Sequence, residues 1–259
     1  MSGERPLRRV GHKGADLLVK GNTIPSFERA VEIGVEMVEF DVLRSRDAGP
    51  EAGAGAAPLV IAHDWGDAES RDPHTLDQVL EAFTRPPLDS VEIDCDLKLP
   101  GREQELVAGL RKHDLIERAM VSTMYVESLA AIRELEPRLR RGWTYPKVTR
   151  PWDKRPLAKP AVVAGLAVMK ARLPRIVGRG VELVGADAVW VYHPVISKAL
   201  VRSTRELGIE LIAWTVDDAA RIAELRELGV DGIVSNDPRL LAPQPDAQDV
   251  YPAVPDGFS

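Results

Sequence analysis

The chain has little cysteine and no long apolar run. Its one cysteine, Cys95, cannot form a disulfide within the chain, and 259 residues can bury a core without one. No apolar run approaches the roughly 18 residues that a membrane-spanning helix needs. The apolar region of a secretory signal peptide is missing from the N-terminal stretch MSGERPLRRV. Together these absences favour a cytoplasmic protein.

An excess of positive charge is also missing. The net charge is −6, so general affinity for nucleic acid is not expected. One segment, residues 147–179, departs from this balance with nine lysines and arginines, a single acid and many apolar residues. Such a segment is either a solvated helix face or a cationic, apolar surface that contacts an anionic membrane. The sequence leaves both readings open.

Apolar runs of strand length alternate with amphipathic helical segments along most of the chain. This alternation is typical of a parallel sheet whose strands are connected by helices. Seven or eight such units in roughly 250 residues favour a single-domain (β/α)₈ barrel over an open sheet. We expect the barrel to occupy residues 1–241 and a proline-rich tail to occupy residues 242–259.

The stretch Val38–Val42 is predicted to be a strand that carries two acids. Side chains two residues apart in a strand share a face, so Glu39 and Asp41 point one way and the apolar side chains point the other. Neighbouring carboxylates disfavour each other's ionisation unless a cation lies between them. A divalent ion with oxygen ligands meets that need. The alternative is a pair of solvated acids on an exposed strand face.

Further polar side chains fall where predicted strands end. They are His12, His63, Asp96, Lys98, Tyr192, His193 and Trp214. In a (β/α)₈ barrel the chemistry lies at the carboxyl ends of the strands. We therefore expect these residues to meet Glu39 and Asp41 at one rim of the barrel.

Several short motifs follow one another in a recognisable order. They are His12-Lys13-Gly14, Asn22-Thr23, Glu39-x-Asp41, His63-Asp64, Asp96-x-Lys98, Ala213-Trp214-Thr215-Val216 and Gly229-Val230-Asp231-Gly232-Ile233. In this order they resemble the glycerophosphodiester phosphodiesterase family over about residues 7–241. The resemblance implies a (β/α)₈ barrel that holds a divalent cation, Ca²⁺ or Mg²⁺. It also implies hydrolysis of a glycerophosphodiester to glycerol 3-phosphate and an alcohol.

The resemblance further implies a role for each matching residue. Glu39, Asp41 and Asp96 fall on the family's metal ligands. His12 and His63 fall on its two proton-exchanging histidines, a role that suits a pKa near neutrality. A cation and lysines would offset the negative charge of a phosphodiester. Contacts with the substrate are implied for Lys13, Lys98 and Trp214.

The chain departs from the family's pattern at three positions. Lys13 replaces an arginine, which keeps the charge but loses the bidentate fork for phosphate. Gly21 replaces a glutamate, and Asp96 replaces the glutamate that is the usual third metal ligand. We expect the first two departures to be linked, because the acid that a guanidinium at position 13 would meet is gone. Phosphate binding would then depend more on Lys98 and on the metal.

Three functions fit these observations. The first is a metal-dependent phosphodiesterase that acts on small glycerophosphodiesters. The second is lysophospholipase-D-like hydrolysis of membrane lysophospholipids, with residues 147–179 as the membrane contact. The third, suggested by Lys13 and Gly21, is a non-catalytic binder of phosphate ligands. The expected partner is a small molecule in each case, and the oligomeric state is left open.

Overall fold

The computed structural model of the protein describes residues 6–44, 46, 57–147 and 159–242, with backbone only at residues 159–162. Two regions of the sequence predictions lie outside these residues. They are residues 148–158 of the basic segment and residues 243–259 of the expected tail.

Eight parallel strands form a closed barrel. They are β1 (Arg8–Gly11), β2 (Met37–Leu43), β4 (Glu92–Leu97), β5 (Ala119–Thr123), β6 (Arg140–Tyr145), β7 (Ala188–Tyr192), β8 (Glu210–Trp214) and β9 (Gly232–Ser235). Each strand pairs with the next, and β1 pairs with both β2 and β9, which closes the sheet. The short strand β3 (Val60–Ile61) adds to β2 in the antiparallel direction. The predicted single-domain (β/α)₈ barrel is thereby confirmed.

Helices surround the barrel. They are α1 (Ile24–Ile33), α2 (Trp65–Glu69), α3 (Leu76–Ala82), α4 (Glu103–Lys112), α5 (Val126–Leu135), α6 (Lys159–Val184), α7 (Lys198–Leu207) and α8 (Ala219–Leu228). Local chemistry sets several of their ends. The Thr23 side chain accepts a hydrogen bond from the backbone of Ser26 at the start of α1, and Gly34 ends that helix in the left-handed conformation. Within the described residues, no helix combines the length and apolar character needed to cross a bilayer.

The two faces of each barrel strand have different chemistry. On β4, Ile93, Cys95 and Leu97 belong to the buried apolar layer between strands and helices. Asp94 and Asp96 alternate with them and therefore point into the barrel. Cys95 is a buried core residue, as its position in the strand predicts.

Ion pairs close the amino-terminal end of the barrel. Arg8 on β1 pairs with Glu92 on β4 and, at 3.0 Å, with Glu210 on β8. Arg140 on β6 contacts the same Glu92 carboxylate at 2.5 Å. These pairs leave the carboxyl ends of the strands as the end at which a ligand can enter.

Candidate active site

Three carboxylates meet near the carboxyl ends of β2 and β4. Glu39 and Asp41 alternate along β2, and Asp96 on β4 lies opposite Asp41 in the strand register. One oxygen from each residue lies within 4.8 Å of the others. Glu39 and Asp41 are buried, whereas Asp96 is partly exposed. The three residues that sequence reasoning assigned to a metal are thus neighbours, and the two-residue period of the strands is the cause.

Burial and charge set the ionisation of this cluster. Burial raises the pKa of Glu39 well above its usual value, and the neighbouring Asp41 carboxylate adds to the rise. Burial also opposes ionisation of Asp41, but the ammonium groups of Lys98 and Lys13 outweigh it and hold the pKa of Asp41 below its usual value. A divalent cation among these oxygens would favour the ionised form of both acids.

Lys98 supplies the positive charge at the centre of the cluster. Its Nζ lies 2.5 Å from Asp41 Oδ1 and 2.5 Å from Asp96 Oδ2. Burial lowers the pKa of Lys98, but the two carboxylates outweigh this effect and raise it above its usual value. The resemblance put Lys98 near the phosphate, and in the structure its partners are the carboxylates themselves.

One oxygen of the cluster is suited to a hard cation. Asp41 Oδ1 is buried and accepts no hydrogen bond of good geometry from the described residues, although the Lys98 ammonium is close to it. Three carboxylates that converge in this way match the oxygen-rich donor sets of Ca²⁺ and Mg²⁺. The residues present therefore fit the expected divalent ion.

Asn22 holds the other oxygen of Asp41 in place. Its Nδ2 donates to Asp41 Oδ2 at 2.7 Å, and the backbone N–H of Asp41 donates to Asn22 Oδ1 at 3.0 Å. Asn22 is buried and has a φ of +58°, a conformation that Asn adopts more readily than most residues. Sequence reasoning used Asn22 as a motif landmark but assigned it no role. The available signal was a polar residue next to a glycine, which by itself indicates only a turn.

His12 is held by residues from the far end of the chain. Its Nδ1 lies 2.5 Å from Asn236 Oδ1, and its Nε2 lies 3.9 Å from Glu39 Oε2. The amide of Asn236 is oriented by Asp217, which accepts hydrogen bonds from Asn236 Nδ2 at 2.6 Å and from its backbone N–H at 2.8 Å. Burial, followed by the charge of Lys13, lowers the pKa of His12. Sequence reasoning missed Asn236 and Asp217.

His63 lies on the same rim but in a more open setting. Its side chain is 52% exposed, compared with 21% for His12. Its Nδ1 lies 3.1 Å from Asp64 Oδ2, and its backbone N–H donates to Asp67. Its charge also helps to lower the pKa of Asp41, as expected for a residue near the carboxylates. The acid or base role of His63 stays a prediction.

Two aromatic rings lie side by side where β7 and β8 end. The ring centroids of Tyr192 and Trp214 are 5.5 Å apart, and Trp214 packs against the apolar cluster inside the barrel. The buried Nε1 of Trp214 has no hydrogen-bond partner among the described residues. This arrangement is compatible with the predicted substrate contact of Trp214.

A known protein family matches most of the chain. The model of the "Glycerophosphoryl diester phosphodiesterase family" matches residues 12–52 and 68–240. The matched stretches contain His12 and the three carboxylates. His63 lies in the interval between the two stretches.

Individual relatives agree with the family match. The chain is 25% identical over 266 residues to a glycerophosphodiester phosphodiesterase of Caldanaerobacter subterraneus, a match that covers 90% of this chain and 95% of the relative. A solved structure described as a putative glycerophosphodiester phosphodiesterase from Galdieria sulphuraria superposes with a TM-score of 0.69 at 19% identity, with coverage of 93% and 98%. A phosphodiesterase of Oleispira antarctica superposes with a TM-score of 0.63 at 19% identity, with coverage of 91% and 94%. At these identities the solved structures bear on the fold alone.

Proposed function

The chain belongs to the glycerophosphoryl diester phosphodiesterase family, and from that premise we propose that it hydrolyses glycerophosphodiesters to glycerol 3-phosphate and an alcohol. It is an enzyme of the phosphoric diester hydrolase class. The Oleispira enzyme was solved in complex with the product sn-glycerol-3-phosphate, which supports the same product here.

One observation carries the proposal. Three carboxylates, two lysines and His12 converge at the carboxyl ends of β1, β2 and β4. A phosphodiester is anionic, and its reaction needs positive charge beside the phosphoryl oxygens and a group that can accept a proton. This rim provides both within a few ångströms.

We propose that Glu39, Asp41 and Asp96 hold the divalent cation, Ca²⁺ or Mg²⁺. When bound, such a cation polarises a phosphoryl oxygen and neutralises charge in the transition state. Asn22 keeps Asp41 in the orientation that presents Oδ1, the oxygen beside the Lys98 ammonium, to the cluster. Lys98 compensates excess negative charge among the three carboxylates.

His12 is the better defined of the two proposed proton carriers. The Asn236 carbonyl accepts from Nδ1, so the neutral ring carries its lone pair on Nε2, beside Glu39. Nε2 would take a proton from the attacking oxygen. His63, which is more exposed, would protonate the leaving alkoxide at the open side of the site. Lys13 and Trp214 would contact the substrate.

Product analysis tests this function. Purified protein is incubated with a panel of glycerophosphodiesters, with Ca²⁺, with Mg²⁺ and with excess chelator, and phosphate esters are identified by ³¹P NMR. We expect glycerol 3-phosphate with a metal and none with chelator. Release of the alternative phosphomonoester, or no turnover of any diester, would contradict the proposal.

The lysophospholipid alternative has one specific observation in its favour. Helix α6 is much longer than the other helices, and its side chains Val163, Val168 and Leu183 are 66%, 55% and 66% exposed. Exposed basic residues share this helix, namely Lys170, Arg172, Arg175 and Arg179. A helix surface that exposes both apolar and cationic side chains suits an anionic bilayer surface.

Substrate comparison and vesicle binding distinguish a small glycerophosphodiester from a membrane lysophospholipid as the substrate. Preference for lysophosphatidylcholine over glycerophosphocholine, with sedimentation on phosphatidylglycerol vesicles, would favour the lipid substrate. The double variant Val163→Ser/Val168→Ser should then lose vesicle binding. Leu207→Ser, which changes an exposed apolar residue on α7, is the matched control. A purely phosphate-binding role is not favoured, because the proposed ligands, His12 and the two lysines are present together.

A further inference from the structure

Asp16 occupies the space beside Gly21. The backbone N–H of Gly21 donates to Asp16 Oδ1 at 2.8 Å. A Cβ atom at position 21 would lie only 2.4 Å from Asp16 Oδ1 and 2.6 Å from Asp16 Cγ. Any side chain at position 21 would therefore displace the Asp16 carboxylate. The carboxylate of Asp16 thus occupies the space that a side chain at position 21 would need.

The backbone of Gly21 does not itself require glycine. Its φ lies outside the left-handed range, which is populated nearby by Lys13, Gly14 and Asn22. Close packing against Asp16, and against Lys13 Cβ at 2.8 Å from the added atom, is what leaves no room for a side chain. The absence of a side chain at Gly21 thus allows the Asp16 carboxylate to lie there.

Asp16 faces the ammonium group of Lys13. Asp16 Oδ2 lies 3.9 Å from Lys13 Nζ, and Asp41 Oδ2 lies at the same distance from it. The backbone of Lys13 is fixed independently, because its N–H donates to Glu39 Oε2 at 2.8 Å and its carbonyl accepts from Ser26 Oγ at 2.9 Å. Only the flexible stem of Lys13 remains to be positioned, and two carboxylates share that task.

We propose that Asp16 is a positioning residue for Lys13, whose ammonium it holds beside the carboxylate cluster, where that ammonium contacts the phosphate of the substrate. This inference rests on the proposed function for the identity of the ligand. Without Asp16, Asp41 is the acid that remains within ion-pair distance of Lys13 among the described residues. The ammonium would then be held by Asp41 alone, a proposed metal ligand, and would be less available to the phosphate.

Relocation of the carboxylate tests the proposal. Asp16→Ala should raise KM and weaken sn-glycerol 3-phosphate binding in Ca²⁺ by about 10-fold, within the range for coupled neighbours. Gly21→Glu alone should also weaken sn-glycerol 3-phosphate binding, because the new side chain collides with Asp16. Asp16→Ala/Gly21→Glu should recover part of the lost binding, by about threefold or more over Asp16→Ala/Gly21→Gln, because Lys13 Cβ must give way equally in both variants and only the glutamate returns the charge. Asp16→Ala/Gly21→Gln, the neutral control, should not recover.

Two further variants separate charge from local structure. Asp16→Asn keeps an acceptor for the Gly21 N–H but not the charge, so it should behave like Asp16→Ala while its thermal unfolding stays near that of the wild type. In a Lys13→Met background, Asp16→Ala should change KM less than about twofold, because its effect is transmitted through Lys13. Recovery with glutamine at position 21, or additive effects of the Lys13 and Asp16 changes, would overturn the proposal.

Binding and turnover are measured on the same variants so that the two proposals can fail separately. A wild type that binds sn-glycerol 3-phosphate but hydrolyses no diester would contradict the proposed function, and binding would still decide the role of Asp16. A wild type that hydrolyses diesters while Asp16→Asn and Asp16→Ala match it would contradict the role of Asp16 alone. A wild type that neither binds nor hydrolyses would overturn both.

Discussion

His12 Nδ1 lies 2.5 Å from the side-chain oxygen of Asn236, a residue 224 positions away in the sequence. Asp217 fixes the direction of the Asn236 amide, because a reversed amide would place its oxygen against a carboxylate. Nδ1 of His12 must then be the donor, so the lone pair of the neutral ring is on Nε2. The pair defines which nitrogen of His12 can accept a proton.

Replacement of Asn236 by Ala should therefore remove the contact that selects the Nδ1–H tautomer of His12. We expect ¹⁵N NMR to show a mixture of the two neutral tautomers where the wild type shows the Nδ1–H form. We also expect kcat to fall by about 10- to 100-fold, within the contribution of a positioned base. Asp218→Ala, which removes the helix-capping acid next to Asp217, is the control and should leave the tautomer unchanged. An unchanged tautomer in Asn236→Ala would refute the role of Asn236.

The two histidines can be compared by single replacements. His12→Gln and His63→Gln should each lower kcat by about 10²- to 10⁴-fold, the usual range for a general acid or base. A substrate with a good leaving group, such as a nitrophenyl ester, should rescue the variant that lacks the acid and not the one that lacks the base. We expect rescue of His63→Gln. His74→Gln is a control outside the cluster, and near-normal kcat in His63→Gln on a poor leaving group would remove His63 from the mechanism.

Metal binding should depend on Asp41. Chelation should abolish turnover, and Ca²⁺, Mg²⁺ or Mn²⁺ should restore it, because the three carboxylates form a hard-ligand set. A ligand that binds only the folded state raises Tm, so Ca²⁺ should stabilise the wild type. Asp41→Asn should lose most of that rise, whereas the exposed Asp77→Asn should keep it. Full activity in excess chelator would contradict the assigned site.

Lys98 should stabilise the metal-free protein while it competes with the metal. Its ammonium lies 2.5 Å from both Asp41 and Asp96, so Lys98→Met removes the nearest positive charge from the buried Asp41 and the partly exposed Asp96. Loss of one partner of a buried pair costs about 3–5 kcal/mol, and we expect the metal-free variant to unfold at a clearly lower temperature. Ca²⁺ should then raise its Tm by more than it raises that of the wild type. An equal rise in both proteins, measured by calorimetry, would show that Lys98 does not compete.

Asp94 should make stability depend on pH. Burial raises its pKa well above the usual value, although Ser122 Oγ donates to Oδ2 at 2.7 Å and acts against the rise. The folded state therefore binds more protons than the unfolded state. The stability that protonated Asp94 contributes is lost as pH rises from the pKa of the unfolded state through the higher pKa of the folded state. Asp94→Asn cannot ionise, so its stability relative to the wild type should increase from pH 4 to pH 8, by about 1.4 kcal/mol for each unit of pKa shift. Denaturant unfolding with and without Ca²⁺ measures this, and parallel pH curves would contradict it.

The sequence alone determined the barrel and its carboxylate cluster. Strand-length apolar runs that alternate with amphipathic helices specify a parallel sheet, and parallel strands bring their carboxyl ends to one edge. Because side chains in a strand alternate with a period of two, Glu39 and Asp41 had to share a face, and Asp96 on the neighbouring strand could join them. The shared face of Glu39 and Asp41 depends only on local periodicity, which a sequence displays directly, whereas Asp96 was assigned to the metal by the resemblance to the family.

The tertiary structure alone decided how the site is held. Asn22, Asn236, Asp217 and Asp16 lie in loops, where no periodicity indicates which way a side chain points. Their partners depend on how the closed barrel brings distant loops together, as in the contact between residues 12 and 236. The resemblance to the family implied an acid at position 21, where this chain has glycine. The fold put the carboxylate of Asp16 into that space, because a glycine there leaves room for a side chain from five residues earlier.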